Sequence, residues 1–196
     1  HAKFYAHWDG YPSNRGVELA ESLLHGCKIE DQVIVELGVA WGGTTMFFES
    51  FHQGDIIGVD LQIPDHLRDA TAFKGNVRFL IGDSVMSASV VKKYVGERTC
   101  MVIVDSMHTH EHVLEELNAF SGLVTPGCYM VVCDTLVDDP RYHEDGSARN
   151  RPWGPGNSPR SALNQFLDEN PGFERDEDIR NKLLFSCQPD GYIYRK

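Results

Sequence analysis

Five acidic residues, Glu36, Asp60, Asp83, Asp105 and Asp134, each stand at or just past the end of a short apolar run. The fourth opens Asp105-Ser106-Met107-His108-Thr109-His110-Glu111-His112. An Asp at a strand end can hold a divalent cation, and a His three residues on can take a proton from a substrate. His108 and His112, four apart, can share a helix face. Asp134 can meet Asp105 across a crevice, where two converging carboxylates need a cation or a raised pKa. Oxygen ligands favour a hard ion, Mg²⁺ first. The plainer reading is that Asp105 or Thr109 caps a helix and the histidines are solvated.

The run Glu36-Leu37-Gly38-Val39-Ala40-Trp41-Gly42-Gly43 is a glycine-rich turn between a strand and a helix, though not G-x-G-x-x-G. Such a turn lets backbone approach a ligand and offers free N–H groups at the helix start. Asp60 follows roughly 20 residues later at the end of the second run, where an acid can take both ribose hydroxyls of a nucleoside. Asp83, in Gly82-Asp83-Ser84, can accept from an adenine amino group; alternatively, Asp83 and Ser84 cap the next helix. Together the turn and Asp60 favour a nucleoside-containing cofactor.

The elements that must position these residues alternate. Apolar runs at Val33–Leu37, Ile56–Val59, Val77–Ile81, Cys100–Val104 and Cys128–Cys133 read as buried strands. Helical patterns fill 44–51, 85–95 and 113–120, with a variable helical stretch after Pro64. Continuous apolar strands separated by helices imply a parallel sheet covered on both faces. Right-handed crossovers make it doubly wound, and ligands then bind beyond the carboxyl ends of the strands. The fold class is therefore α/β, with a mostly parallel, Rossmann-like sheet.

Residues 1–30 are expected to form an aromatic N-terminal arm and helix, 31–134 the cofactor-binding core, and 135–158 a long loop of the kind that serves as a lid. Residues 159–196 close the domain, with Ser158-Pro159 as N-cap and N1 of a helix and strands at 173–176, 183–187 and 192–195.

Composition narrows the partners. The 196 residues make one domain, 41 % hydrophobic and 24 % charged, with a formal net charge of −11. That charge disfavours nucleic acid and an anionic membrane surface. No apolar run is long enough to span a bilayer, and no secretion signal is recognisable. The five cysteines, Cys27, Cys100, Cys128, Cys133 and Cys187, form no CxxC and read as reduced thiols of a cytoplasmic protein. The first residue, His1 rather than Met, fits a trimmed chain or a domain of a longer protein.

On the segments VIVELGVAWGGTT, IIGVDLQI, IGDSV, VIVDSMHTHEHVLEEL, LVTPGCYMVVCDT, RPWGPGNSPRSALNQFL and PDGYIYR, the chain resembles class I S-adenosylmethionine-dependent methyltransferases. More narrowly, it is similar to the cephalosporin hydroxylase / rhamnosyl O-methyltransferase family. The resemblance implies a seven-stranded sheet and an O-methyltransferase acting on a sugar or a glycosylated natural product. It places Glu36, Gly38, Ala40 and Trp41 along the donor, Asp60 and Leu61 at the ribose, and Asp83 and Ser84 at the adenine. Asp105 lines the cofactor and, with Asp134, holds Mg²⁺ or another divalent cation; His108 is the general base. Relatives carry two adjacent acids where this chain has Cys133-Asp134, which leaves the third protein ligand open.

Tyr11, His143, Trp153 and Asn157 are the substrate-side candidates, with a homo-oligomer or a fusion to a glycosyltransferase as wider context. Two other readings compete: a metallohydrolase or oxygenase built on His108, His110 and His112, and a silent binding module of the same fold. A nicotinamide dehydrogenase accounts for the glycine turn and Asp60 but not for Asp83, Asp105 and Asp134 together.

Overall fold

The computed structural model describes residues 32–69, 73–143, 151–182 and 186–196, the side chains of residues 142, 143 and 182 excepted. Its strands are β1 (Val33–Leu37), β2 (Ile56–Asp60), β3 (Val77–Ile81), β4 (Cys100–Val104), β5 (Tyr129–Val132), β6 (Phe173–Arg175) and β7 (Tyr192–Arg195). They form one sheet in the order β3-β2-β1-β4-β5-β7-β6. The first five are parallel, while β7 runs antiparallel to both β5 and β6. The chain winds outward from β1 through β2 to β3, then returns to lay β4 on the other side of β1. That reversal is the switch point, where a doubly wound sheet opens a crevice beyond its carboxyl ends.

The helices are α1 (Gly43–Phe51), the single turn α2 (Asp65–Arg68), α3 (Ser84–Val95), α4 (His110–Phe120), α5 (Pro159–Glu169) and α6 (Glu177–Lys182). Every residue of β1 and β4 is buried, because alternate side chains feed two cores. Val33, Val35 and Leu37 pack with Val91 of α3, Leu117 and Phe120 of α4 and Phe166 of α5. Ile34, Ile56 and Ile103 pack with Phe48 of α1 and Ile179 of α6. Full burial of a side chain such as Phe48 or Phe120 contributes about 1.5–3 kcal/mol, so both faces hold the sheet flat against its helices.

The expected α/β class, the five parallel strands and the helices on both faces are all present. The closing segment differs in part. Residues 177–182 form α6, and Ser186 and Cys187 lie outside any strand. The 135–158 loop is also more ordered at its start than a bare lid, with 3₁₀ turns at Thr135–Asp138 and Pro140–His143. Ser158 caps α5 as expected, in a reciprocal capping box with Ser161 and with Pro159 at the first turn.

The thiol reading needs correction. Cys128 is disulfide-bonded, its partner lying outside the described residues, while Cys100, Cys133 and Cys187 are free. Cys27 lies outside the described residues. Among the described residues, no helix is long and apolar enough to cross a membrane.

Candidate active site

The ladder continues one residue past each strand end and thereby sets the acids in register. Asp105 N–H donates to Leu37 O (2.8 Å), Cys133 N–H to Val104 O (2.9 Å) and Gly82 N–H to Asp60 O (2.9 Å). Asp105 and Asp134 therefore leave neighbouring strands, β4 and β5, at the same rim. Between them lies His108, carried back by the Ser106–Thr109 turn. Its Nε2 is 3.3 Å from Asp105 Oδ1 and 3.5 Å from Asp134 Oδ2. One ligand atom from each of the three residues falls within 4.8 Å of the others, and all three side chains are partly buried. Asp134 reaches this position in the left-handed region, at φ 51°, which a non-glycine residue adopts at a cost. Thr135 fixes the turn by donating its hydroxyl to Pro189 O (2.5 Å).

On the other side of the switch point, Asp60 closes the glycine turn. Its Oδ2 accepts from Val39 N–H (2.8 Å) and Ala40 N–H (2.9 Å), and its Oδ1 from Gln62 N–H (3.1 Å). Beside it a cleft of about 700 Å³ runs between Ala40-Trp41 and Gln62–Arg68. Trp41 and Leu61 stand 62 % and 67 % exposed at this rim, apolar surface of the kind a nucleoside covers. Trp41 also stacks on His66, with ring centroids 6.1 Å apart.

Glu36 lies beneath the crevice, 2 % exposed. Thr45 of α1 donates to its carboxylate. Burial, helped by the charges of Asp105 and Asp60 and opposed by the Thr45 bond, pushes its pKa up from 4.5 to about 8. This folded value exceeds the unfolded one, so the stability the proton provides is fully present below pH 4.5. It is lost as pH rises through about 8. The conservative change Glu36→Gln should therefore flatten the fall of melting temperature between pH 4.5 and about pH 8. A variant that loses stability with pH as steeply as the wild type would remove Glu36 from this account.

The three histidines do not converge, which corrects the shared-face expectation. His108 precedes α4 and alone among them faces Asp105 and Asp134. His110 opens α4 and turns to α5, with Nδ1 2.8 Å from Ser161 Oγ and Nε2 3.0 Å from Gln165 Oε1. His112 Nε2 sits 3.2 Å from Ser84 Oγ and 3.4 Å from the fully buried Glu116, whose hydrogen bond raises the pKa of His112. Ser84 is thus engaged by α4, and Asp83 caps α3 by accepting from Met86 N–H (2.9 Å). Both thus have a capping and packing role at the head of α3.

Trp153 meets His108 edge-on, with ring centroids 5.0 Å apart and planes at 90°. Asn157 uses both ends of its amide within the protein, accepting from His110 N–H (2.9 Å) and donating to Pro152 O (2.8 Å). That makes it a staple of the loop. Tyr11 and the side chain of His143 lie outside the described residues. Thr45, Glu116 and Asp138 carry no sequence signal; Thr45 and Asp138 act on other segments of the chain, and Glu116 on Ser106 and on His112 four residues before it.

A family model described as "Rhamnosyl O-methyltransferase/CmcI" matches residues 21–196. The chain belongs to this family. Membership makes it an O-methyltransferase of the S-adenosylmethionine-dependent class. It is 27 % identical over 183 residues to the rhamnosyl O-methyltransferase of Mycobacterium leprae (strain TN), covering 86 % of this chain and 73 % of the relative. Its fold is similar to that of apo CalS11, a TDP-rhamnose 3'-O-methyltransferase of calicheamicin biosynthesis. That match has TM-score 0.57 and 13 % identity over 99 % of this chain and 92 % of the other. It is also similar to the MycE methyltransferase in complex with Mg, SAH and mycinamycin VI (TM-score 0.58, 18 % identity), covering 85 % of this chain and 46 % of that one. The chain thus spans under half of the MycE protein.

The residues present fit both groups the family implies. A cationic sulfonium donor suits the carboxylates of Asp60 and Asp105, with the protonated Glu36 beneath them. A hard divalent ion suits oxygens of Asp105 and Asp134 that already converge. Cys133, beside Asp134, does not complete a ligand set. It is 2 % exposed, and burial together with Asp105 and Asp134 pushes its thiol well above the usual range. The protonated thiol packs in the core beside Ile103 and Val131.

Proposed function

We propose that this chain is a divalent-metal-assisted O-methyltransferase acting on a hydroxyl of a rhamnose-like sugar, free or within a glycosylated natural product. The observation that carries the reading is the placement of His108 Nε2 against Asp105 and Asp134 at the rim of β4 and β5. The names of the rhamnosyl and TDP-rhamnose relatives support the sugar class.

S-adenosylmethionine would supply a methyl already activated on a sulfonium. A divalent ion such as Mg²⁺ would supply positive charge that acidifies a substrate hydroxyl. The chain's own residues do the rest. Asp60, Glu36 and the Gly38–Trp41 turn hold the donor, with Leu61, Asp83 and Ser84 on its nucleoside side. Asp105 and Asp134 would hold the ion. An alcohol is a poor nucleophile while protonated, so His108 Nε2 accepts its proton as the new C–O bond forms. Trp153 packs edge-on against the His108 ring. Positioning can lower the barrier by about 7–11 kcal/mol, so holding the acceptor carries much of the rate.

The test is transfer of labelled methyl to a panel of rhamnosides and other glycosides, with Mg²⁺ and with EDTA. The reading expects a methyl ether on a rhamnoside, lost on chelation. Transfer unaffected by EDTA, or transfer to none of the sugars, would contradict it. The competing histidine-rich metal site loses its basis, because His110 and His112 point to other partners. The cytoplasmic address belongs to this proposal, and the Cys128 disulfide weakens one of its supports.

A further inference from the structure

We propose that Asn157 and Asp138 are positioning residues that brace the crevice. They tie the 151–158 loop to the segments carrying His108 and Asp134, and so hold Trp153 perpendicular to His108. The inference rests on the reading of His108 as the base and adds what fixes that base in place.

The loop is closed on itself. Gly154 and Asn157 exchange two backbone hydrogen bonds, each 2.9 Å, and Asn157 Nδ2 donates to Pro152 O at 2.8 Å. From this closed turn two ties leave in different directions. The first is Asn157 Oδ1, which accepts from His110 N–H at 2.9 Å. His110 is the first residue of α4, and that N–H is one of the donors a helix start leaves without an internal partner. Thr109, the residue at the N-cap position, makes no side-chain cap bond. Asn157 therefore caps α4 from a distant part of the sequence, two residues beyond His108.

The second tie is Asp138. Its Oδ1 accepts from Gly156 N–H (2.8 Å) and from Ser158 Oγ (2.7 Å). Asp138 ends the 3₁₀ turn that starts directly after Asp134. One short loop thus spans both walls of the crevice, and its aromatic residue is the one that meets His108. Arg151, 5.2 Å from the Trp153 ring centroid, covers that indole. With Nε2 facing the two carboxylates and the indole against its ring, His108 is held by groups on both sides.

The brace predicts an effect on turnover without an effect on donor binding. Protein labelled with 5-fluorotryptophan gives a Trp153 ¹⁹F resonance that Trp153→Phe identifies. Asn157→Ala is expected to move or broaden that resonance and to lower kcat on a rhamnoside by about 10- to 100-fold, as a displaced catalytic group does. The Kd for S-adenosylhomocysteine should stay within about twofold, since no tie touches the donor side. Asn157→Asp keeps an oxygen for His110 N–H and should recover most of the loss. Asp138→Ala attacks the other tie and should reproduce both effects, which covers the case of Asn157→Ala failing to fold.

An unmoved resonance with wild-type kcat in both alanine variants would overturn the brace. So would a moved resonance with unchanged kcat, because the loop would then hold Trp153 without positioning His108. A wild type that methylates no sugar overturns the functional reading instead. In that case the resonance alone decides whether the two ties hold Trp153.

Discussion

Replacing His108 with alanine is expected to lower methyl transfer by about 100- to 10,000-fold, the range a positioned general base contributes. The fold and donor binding should survive, because the side chain lies at the rim and not in either core. The geometry gives the experiment a second edge. Nε2 is 3.3 Å from Asp105 and 3.5 Å from Asp134, a place from which an imidazole can take a proton or complete a metal's ligand set. Cys133, a buried, protonated thiol, offers no ligand atom beside them. Calorimetric titration of Mn²⁺ separates the two roles. A base predicts His108→Ala with metal affinity near wild type and turnover lost. Affinity and turnover falling together would make His108 a ligand, and turnover near wild type would end its catalytic role.

Gly38→Ala is expected to give the largest loss of stability. Gly38 has φ +90°, and a Cβ there would lie 2.1 Å from Asp105 O and 2.8 Å from Ser106 Cα. Both are backbone atoms of the β4 rim, so no side chain can swing aside. The rim would have to separate where Leu37 O accepts from Asp105 N–H. Overpacking and the left-handed backbone together should remove at least about 3 kcal/mol, measured by denaturant unfolding. Gly75 provides the control, with φ +92° and open space for 4 Å around the position a Cβ would take. Gly75→Ala should cost about 1–2 kcal/mol from backbone strain alone. Equal losses at the two positions would show that the close approach of β1 and β4 does not matter.

The contrast between strands and histidines explains what the sequence makes legible. A strand buried on both faces is a near-continuous apolar run, so β1, β2, β4 and β5 announce themselves and the acids at their ends follow. Asp60, Asp105 and Asp134 need no further information to reach one rim. The direction of a side chain in a turn has no such period. His108, His110 and His112 look alike in sequence and meet three different sets of partners in space. Asn157 reads as a polar loop residue open to a substrate until His110 N–H is seen to need it. Asp138 and Thr45 are invisible for the same reason, as each pairs with a distant segment. The Cys128 disulfide is likewise unreadable, because an odd number of cysteines without a CxxC gives no pairing.

The central claim is that acids at the ends of β1, β2, β4 and β5 form one crevice for a sulfonium donor and a divalent ion. Its most direct test is a crystal structure with S-adenosylhomocysteine and Mn²⁺, the ion located by anomalous scattering. The nucleoside is expected at Asp60 beside Trp41, with an anomalous peak shared by the Asp105 and Asp134 carboxylates. An anomalous peak elsewhere, or a nucleoside seated away from the glycine turn, would contradict it.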